Sequence, residues 1–280
     1  MDDATRIDAF IARWQGADGR ERANYQLFLT ELAALLELPA PEPASADDRA
    51  NAYVFERRVG FRHGDGSESW GYIDLYRRGA FVLEAKDVKE SNDQRYDQGM
   101  LRARSQAENY ARALPADEGR PPFVVVVDVG RSIELYSEFS RSGATYTPFP
   151  DPRSHRIRLD DLRDAEIRER LRALWLEPLS LDPTRRSARV TREIAAHLAE
   201  LARSLERAGH APQASAGFLT RCLFTLFAED VELIPKNAFR ELLETLKDNT
   251  AQFQPMLGEL WRAMDAGLFS VAIRADLLRF

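Results

Sequence analysis

Lysine is nearly absent from this chain: Lys86, Lys89, Lys236 and Lys247 stand against 35 arginines. Cysteine is scarcer still. The single Cys222 rules out an internal disulfide and any cysteine-based zinc cluster. It lies in an apolar run, residues 218–227, and reads as a small buried hydrophobe. His63, His155, His197 and His210 show no metal-ligand spacing. No stretch approaches the roughly 18 uninterrupted apolar residues of a membrane span. The acidic opening MDDATRIDAF has no signal-peptide core. A soluble, cytoplasmic protein with no membrane partner is therefore expected. There is no Gly-x-Ser-x-Gly, and Ser132, Ser137 and Ser140 have no neighbouring His–Asp pair, which argues against a serine hydrolase.

What is present is globular: 280 residues, 44% apolar and 30% charged, enough for one large domain or two modest ones. The net charge of −6 argues against a basic nucleic-acid coat protein but leaves room for a local basic surface. Residues 1–50 carry −5 of that charge, 113–180 carry −2 and 181–280 carry none, while 51–112 carry +1.

Hydrophobic spacing predicts helices over 4–15 and 21–38, the second closed by Pro39, Pro41 and Pro43. The period then changes to two. Strands are predicted from Tyr53, over 70–76 and over 80–85, the last two joined at Arg78-Gly79 as a tight hairpin. A helix is predicted over 94–113. Residues 123–129 form a β-branched run typical of a strand buried on both faces, with 133–139 as its hairpin partner. A helix over 160–175 leads to a linker, 177–183. Beyond it only helices are predicted: 187–207, 215–231, 237–249 and 252–264. The switch from mixed to helical patterning sets the expected domains, 1–176 and 186–280.

Chemistry concentrates in GYIDLYRRGAFVLEAK, where Asp74 is followed by Glu84 and Lys86. Period-two alternation puts Glu84 and Lys86 on one face of a strand. The hairpin folds that strand back beside the one carrying Asp74, so two carboxylates and an ammonium can converge. Hard carboxylate oxygens suit Mg²⁺, which retains water and contacts substrate phosphate. Such a metal activates a water and offsets charge in phosphodiester hydrolysis, with the lysine orienting or deprotonating that water. The bland alternative is a surface hairpin with one Glu–Lys ion pair. The next helix adds Gln106 and Tyr110, four apart and so on one face. It also carries Arg95, Arg102, Arg104 and Arg112 as candidate phosphate contacts.

An Asp–Glu-x-Lys hairpin followed by Gln-x-x-x-Tyr resembles the RecB-like branch of the PD-(D/E)XK nucleases. The stretches Tyr53-Val-Phe-Glu56, Gly71-Tyr-Ile-Asp-Leu-Tyr76 and Gly79-Ala-Phe-Val-Leu-Glu-Ala-Lys86 resemble the N-terminal nuclease domain of MmeI-like, type IIL restriction–modification enzymes. FIARWQGADGRERANYQLFLTELAALLELP (10–39) and GFLTRCLFTLFAEDVELIP (217–235) resemble that family's first helices and its helical spacer. The resemblance implies an α/β (α+β) PD-(D/E)XK core, a mixed sheet flanked by helices, followed by an all-α domain. It implies Asp74 and Glu84 as metal ligands with the Ala85 carbonyl as a further one, and Lys86 as the catalytic lysine. Gln106 and Tyr110 would support the site, and Glu31 would add a carboxylate from the preceding helix unless it is simply solvated.

The implied function is a Mg²⁺-dependent endonuclease acting on double-stranded DNA, with Mn²⁺ as an alternative metal and with two copies or two turns of binding needed for a double-strand break. No Asn-Pro-Pro-Tyr or Asp-Pro-Pro-Tyr motif and no Gly-rich cofactor loop occurs. The chain is thus expected to be a fragment of a longer protein or a stand-alone nuclease half, with S-adenosylmethionine, adenine-N6 methylation and target recognition assigned only to the remainder of a parent protein. Two other readings compete. One is a catalytically silent nuclease-like scaffold binding DNA or protein in phage defence. The other is an accessory domain of a DNA adenine methyltransferase. Trp14, Trp70, Trp175 and Trp261 are expected as core or interface anchors.

Overall fold

A computed structural model describes residues 2–17, 21–62, 64–86 and 93–279; His63 and Lys89 lie outside the described residues. The chain divides into two compact units, residues 1–188 and 189–280.

The first unit is built on a mixed sheet. Its strands are β1 (Tyr53–Arg62), β2 (Glu68–Arg77), β3 (Phe81–Lys86), β4 (Phe123–Asp128) and β5 (Ser132–Ser137), followed by the short β6 (Thr147–Pro148) and β7 (Arg156–Arg158). They run in the order β1-β2-β3-β4-β5-β6, with β7 also on β5. Among the named strands of the described residues, β3 and β4 alone pair with each other in parallel, because α3 (Asp93–Ala113) crosses over between them. The sequences FVLEAK and FVVVVD are buried almost throughout because helices cover both faces, with Glu84, Lys86 and Asp128 as the charged exceptions to their apolar runs.

One face packs against α1 (Asp3–Gln15), α2 (Glu21–Leu35) and α4 (Ala165–Leu176). Phe81, Leu83 and Ala85 of β3 point there, and Trp175 stacks on Phe81 at 4.5 Å while donating its indole N–H to Tyr53 Oη at 3.0 Å. The other face takes Val82, Val124 and Val126 against α3. That helix presents a stripe of Met100, Ala103, Ala107 and Ala111 at helical spacing, so its backbone lies close to the sheet.

The alternation breaks once, within the β1–β2 ribbon. Phe55 and Leu75 face the α1/α2 side, whereas Val59 and Ile73 face α3, although all four are odd-numbered. Regular pleating keeps odd residues on one face. The ladder pairs Phe55 with Leu75 and Arg57 with Ile73, and steps over Glu56 and Asp74. Glu56 has φ +53°, a left-handed conformation in mid-strand that costs a side-chain-bearing residue about 1–2 kcal/mol. This turn of the backbone swaps the faces, so the outer half of the ribbon curls over α3. Arg57 is thereby buried, 2% exposed, between Asp48 (3.0 Å) and Glu118 (2.8 Å).

In the second unit, α6 (Pro212–Asp230), α7 (Ala238–Lys247) and α8 (Phe253–Ala266) pack around Phe239, Leu242, Leu246, Leu257 and Leu260. Helix α5 (Pro183–Arg207) spans the division and buries none of its residues.

Several expectations need correction. Helix α2 ends at Leu35, not 38, because Glu37 turns left-handed (φ +56°) and Leu38 N–H closes back on the Ala33 carbonyl at 2.8 Å. The expected linker contains a 3₁₀ turn, Pro178–Leu181, and α5 starts four residues early because proline is tolerated at the first helical position. The helical block ends in a two-stranded ribbon, β8 (Phe269–Ser270) with β9 (Ala275–Asp276). Cys222 is half-buried rather than buried, and desolvation pushes its thiol up to about 11. Trp70 is not a core anchor: it is 56% exposed.

The β4–β5 turn depends on Gly130, at φ +83°, where a Cβ would stand 2.5 Å from the Trp14 carbonyl oxygen. Gly130→Ala is expected to lower stability by about 1–3 kcal/mol in urea unfolding, through backbone strain and the clash with α1.

Candidate active site

A cleft of about 530 Å³ opens where β2 leaves β3. Backbone pairing between these strands stops at Leu75–Leu83. Beyond it, the Ala85 N–H donates to the Asp74 carboxylate at 2.7 Å. A buried strand amide requires a partner, and a side chain here replaces a neighbouring backbone. The strands can then part without leaving that donor unpaired.

Glu84 and Lys86 follow Val82 on the α3 face of β3. Glu84 is 2% exposed, and Lys86 Nζ donates to its Oε1 at 2.6 Å. A carboxylate this buried needs a charged or hydrogen-bonding neighbour, which the ammonium supplies. Asp74, Glu84 and Lys86 all line the cleft.

Helix α3 adds Gln106 and Tyr110 to the same wall. The Gln106 amide donates to Tyr110 Oη at 3.0 Å. Burial raises the Tyr110 pKa; the Gln106 bond opposes this, and the negative charges of Glu84 and Asp74 add to it. The ring leans on Phe61, with centroids 5.9 Å apart, and crosses β2 at Gly71, where a Cβ would meet it at 2.5 Å.

The remaining predicted site residues lie elsewhere or do other work. Glu31 accepts from the Trp14 indole at 2.9 Å and pairs with Arg13 at 3.1 Å; it does not line the cleft. Arg104 is engaged internally, paired with Glu108 at 2.8 Å, bonded to the Tyr146 carbonyl and stacked on Tyr136 at 4.3 Å. Arg112 binds the Gly143 carbonyl at 2.9 Å. Arg102 is exposed beside a shallow groove shared with Phe61, Leu101 and Tyr110, and Arg95 is exposed on the first turns of α3.

Four lining groups were not singled out from the sequence for a site: Tyr25 and Gln26 of α2, and Trp70 and Tyr72 of β2. A fifth, Glu56, appeared only as part of the Tyr53–Glu56 stretch. The Tyr25 hydroxyl donates to the Glu56 carboxylate, and Gln26 donates to that hydroxyl at 3.0 Å. Burial, then the bond to Glu56, raises the Tyr25 pKa, so the phenol stays a donor. Trp70 and Tyr72 are both more than half exposed at the rim, with Arg58 over the Trp70 ring at 4.5 Å. The available signal was alternation, since both rings stand on the polar side of β2.

Glu56, Asp74 and Glu84 give the cleft three carboxylates against one ammonium, a field that favours a cation. Among the described residues, no three His, Cys, Asp or Glu side chains come together as a ready-made metal cage. Two carboxylates completed by water and phosphate are the set Mg²⁺ ordinarily takes, and Asp74 with Glu84 match it.

Two family models account for nearly the whole chain. "MmeI, N-terminal domain" matches residues 2–208, and "MmeI, helicase spacer domain" matches residues 213–280. The chain belongs to the MmeI family. Both matched parts are pieces of a restriction–modification enzyme, and every residue that lines the cleft falls within the N-terminal match. The two matches meet in the turn between α5 and α6. No curated protein and no solved structure matches the chain. No helix among the described residues is long and apolar enough to cross a membrane.

Gly71→Ala places a methyl group against the Tyr110 ring. Loss of about 1–3 kcal/mol in stability is expected, together with loss of the Gln106–Tyr110 hydrogen bond. Urea unfolding and a crystal structure of the variant check the two effects.

Proposed function

We propose that this chain is the Mg²⁺-dependent DNA endonuclease portion of a restriction–modification enzyme, with a PD-(D/E)XK arrangement of its site. The observation that carries the reading is the convergence of Asp74, buried Glu84 and Lys86 on one open cleft. A surface ion pair has no need of a buried carboxylate, and a silent scaffold gains nothing from burying one beside a lysine.

In this reading the Asp74 and Glu84 carboxylates hold Mg²⁺, or Mn²⁺ in its place, with the Ala85 carbonyl as a further ligand. The bound metal supplies an activated water and charge neutralisation at the phosphate. As an ammonium anchored on Glu84, Lys86 orients the attacking water and compensates the developing charge; only after giving up its own proton, as the neutral amine, would it take the water's proton instead. Gln106 fixes the Tyr110 hydroxyl toward the substrate side. Arg102 is exposed for phosphate contact and Arg95 lies exposed on the first turns of α3; the internal bonds of Arg104 suit it to holding α3 in place. Trp70 and Tyr72 offer exposed ring faces at the rim for stacking on bases.

One cleft cuts one strand, so a double-strand break takes a second copy or a second binding event. S-adenosylmethionine, methylation and target recognition belong to other parts of the enzyme.

Mg²⁺ titrated calorimetrically into the 280-residue chain is expected to bind the wild type and not Asp74→Ala. Equal heats from the two proteins would contradict the assignment. Where plasmid cleavage is measurable, Lys86→Ala is expected to slow it by about 10²–10⁴-fold, the usual worth of a proton-transfer group. Trp70→Ala is expected to weaken DNA binding by about 1–3 kcal/mol in fluorescence anisotropy.

A further inference from the structure

Glu56 stands where its own backbone is least suited to it. It holds φ +53° in the middle of β1, directly across from Asp74 at the step the ladder omits. The face swap made there needs only the left-handed turn, and glycine makes that turn without strain. What glycine cannot supply is a carboxylate, and the Glu56 carboxylate lines the cleft with Asp74 and Glu84. It is also aimed. The Tyr25 hydroxyl donates to it, Gln26 holds that hydroxyl at 3.0 Å, and the Tyr25 ring is fixed edge-on against Phe55 with centroids 6.1 Å apart. Two side chains of α2 thus fix the one acidic group of β1.

We infer that Glu56 is a positioning residue of the cleft: its carboxylate accepts hydrogen bonds from the waters that a cation held by Asp74 and Glu84 retains. This rests on the metal-site reading above. An indirect role fits the absence of a three-carboxylate cage among the described residues. It also fits the chemistry of Mg²⁺, which keeps several of its waters and leaves them to be oriented by acceptors one layer out. The Tyr25–Gln26 pair decides which way those acceptor oxygens point. The competing explanation is that Tyr25–Glu56 is only a staple joining α2 to β1.

Two variants of the full chain separate these roles. Glu56→Gly relieves the backbone and removes the carboxylate. Glu56→Gln keeps an oxygen for Tyr25 and removes the charge. If Glu56 orients metal-bound water, both variants lose Mg²⁺ affinity by about 10–100-fold in calorimetry. The apo Tm of Glu56→Gly should then equal or exceed that of the wild type. If Glu56 is a staple, Glu56→Gly lowers the apo Tm while both variants bind Mg²⁺ as the wild type does, and the inference is overturned. Asp74→Ala serves as the control. Wild-type binding lost in Asp74→Ala but intact in both Glu56 variants removes this inference alone. Failure of the wild type to bind Mg²⁺ removes both readings.

Discussion

The site depends on one hydrogen bond, from the Ala85 amide to the Asp74 carboxylate. In the centre of a sheet, a strand cannot leave its neighbour without stranding donors and acceptors, and β3 is buried on both faces. By supplying a side-chain oxygen where a backbone carbonyl would otherwise be needed, Asp74 lets β2 diverge within one residue of its last pairing. The divergence creates the cleft, exposes one edge of Glu84 and Lys86, and leaves space that α3 fills with Gln106 and Tyr110. The same group that would hold a metal also permits the opening in which the metal would sit.

Much of this was legible in the residues. The hairpin at Arg78-Gly79, the helix that follows it, the buried strand after that helix, and the spacing of Asp74, Glu84 and Lys86 all follow from periodicity and turn chemistry, whereas the parallel pairing of β3 with β4 does not. Gln106 and Tyr110 reach the cleft because four residues is nearly one helical turn. What escaped was whatever broke a period. The left-handed Glu56 leaves no mark in composition, yet it moves Arg57, Val59 and Phe61 to the α3 side and curls the ribbon. Tyr25 and Gln26 fall within the helix expected over 21–38, and nothing local says which residue of α2 meets the sheet edge. Arg104 looked like a phosphate contact because charge on a helix is assumed to be solvated. Its neighbours Glu108, Tyr136 and the Tyr146 carbonyl become visible only in three dimensions.

The choice of basic residue follows the same division of labour. Arginines tie the unit together: Arg57 bridges Asp48 and Glu118, and Arg156 bridges Glu134 (2.6 Å) and Asp97 (2.7 Å). A planar guanidinium with five donors suits such multi-partner bonds. At the cleft the chain uses a lysine, a compact ammonium on a flexible stem whose proton affinity responds to its surroundings. In a sequence so rich in arginine, that exception was a chemical signal.

The alanines on the inner side of α3 bear on the cleft from behind. Ala103, Ala107 and Ala111 are fully buried between helix and sheet, and their methyl groups set how far α3 stands from β3 and β4. Gln106 and Tyr110 ride on that helix, so the aperture between Tyr110 and Glu84 is gauged by side chains that touch no substrate. A larger residue in the stripe would act as a shim, lifting the whole wall while every lining residue stayed the same. The width of the cleft is thus written into positions that a search for its lining residues would pass over.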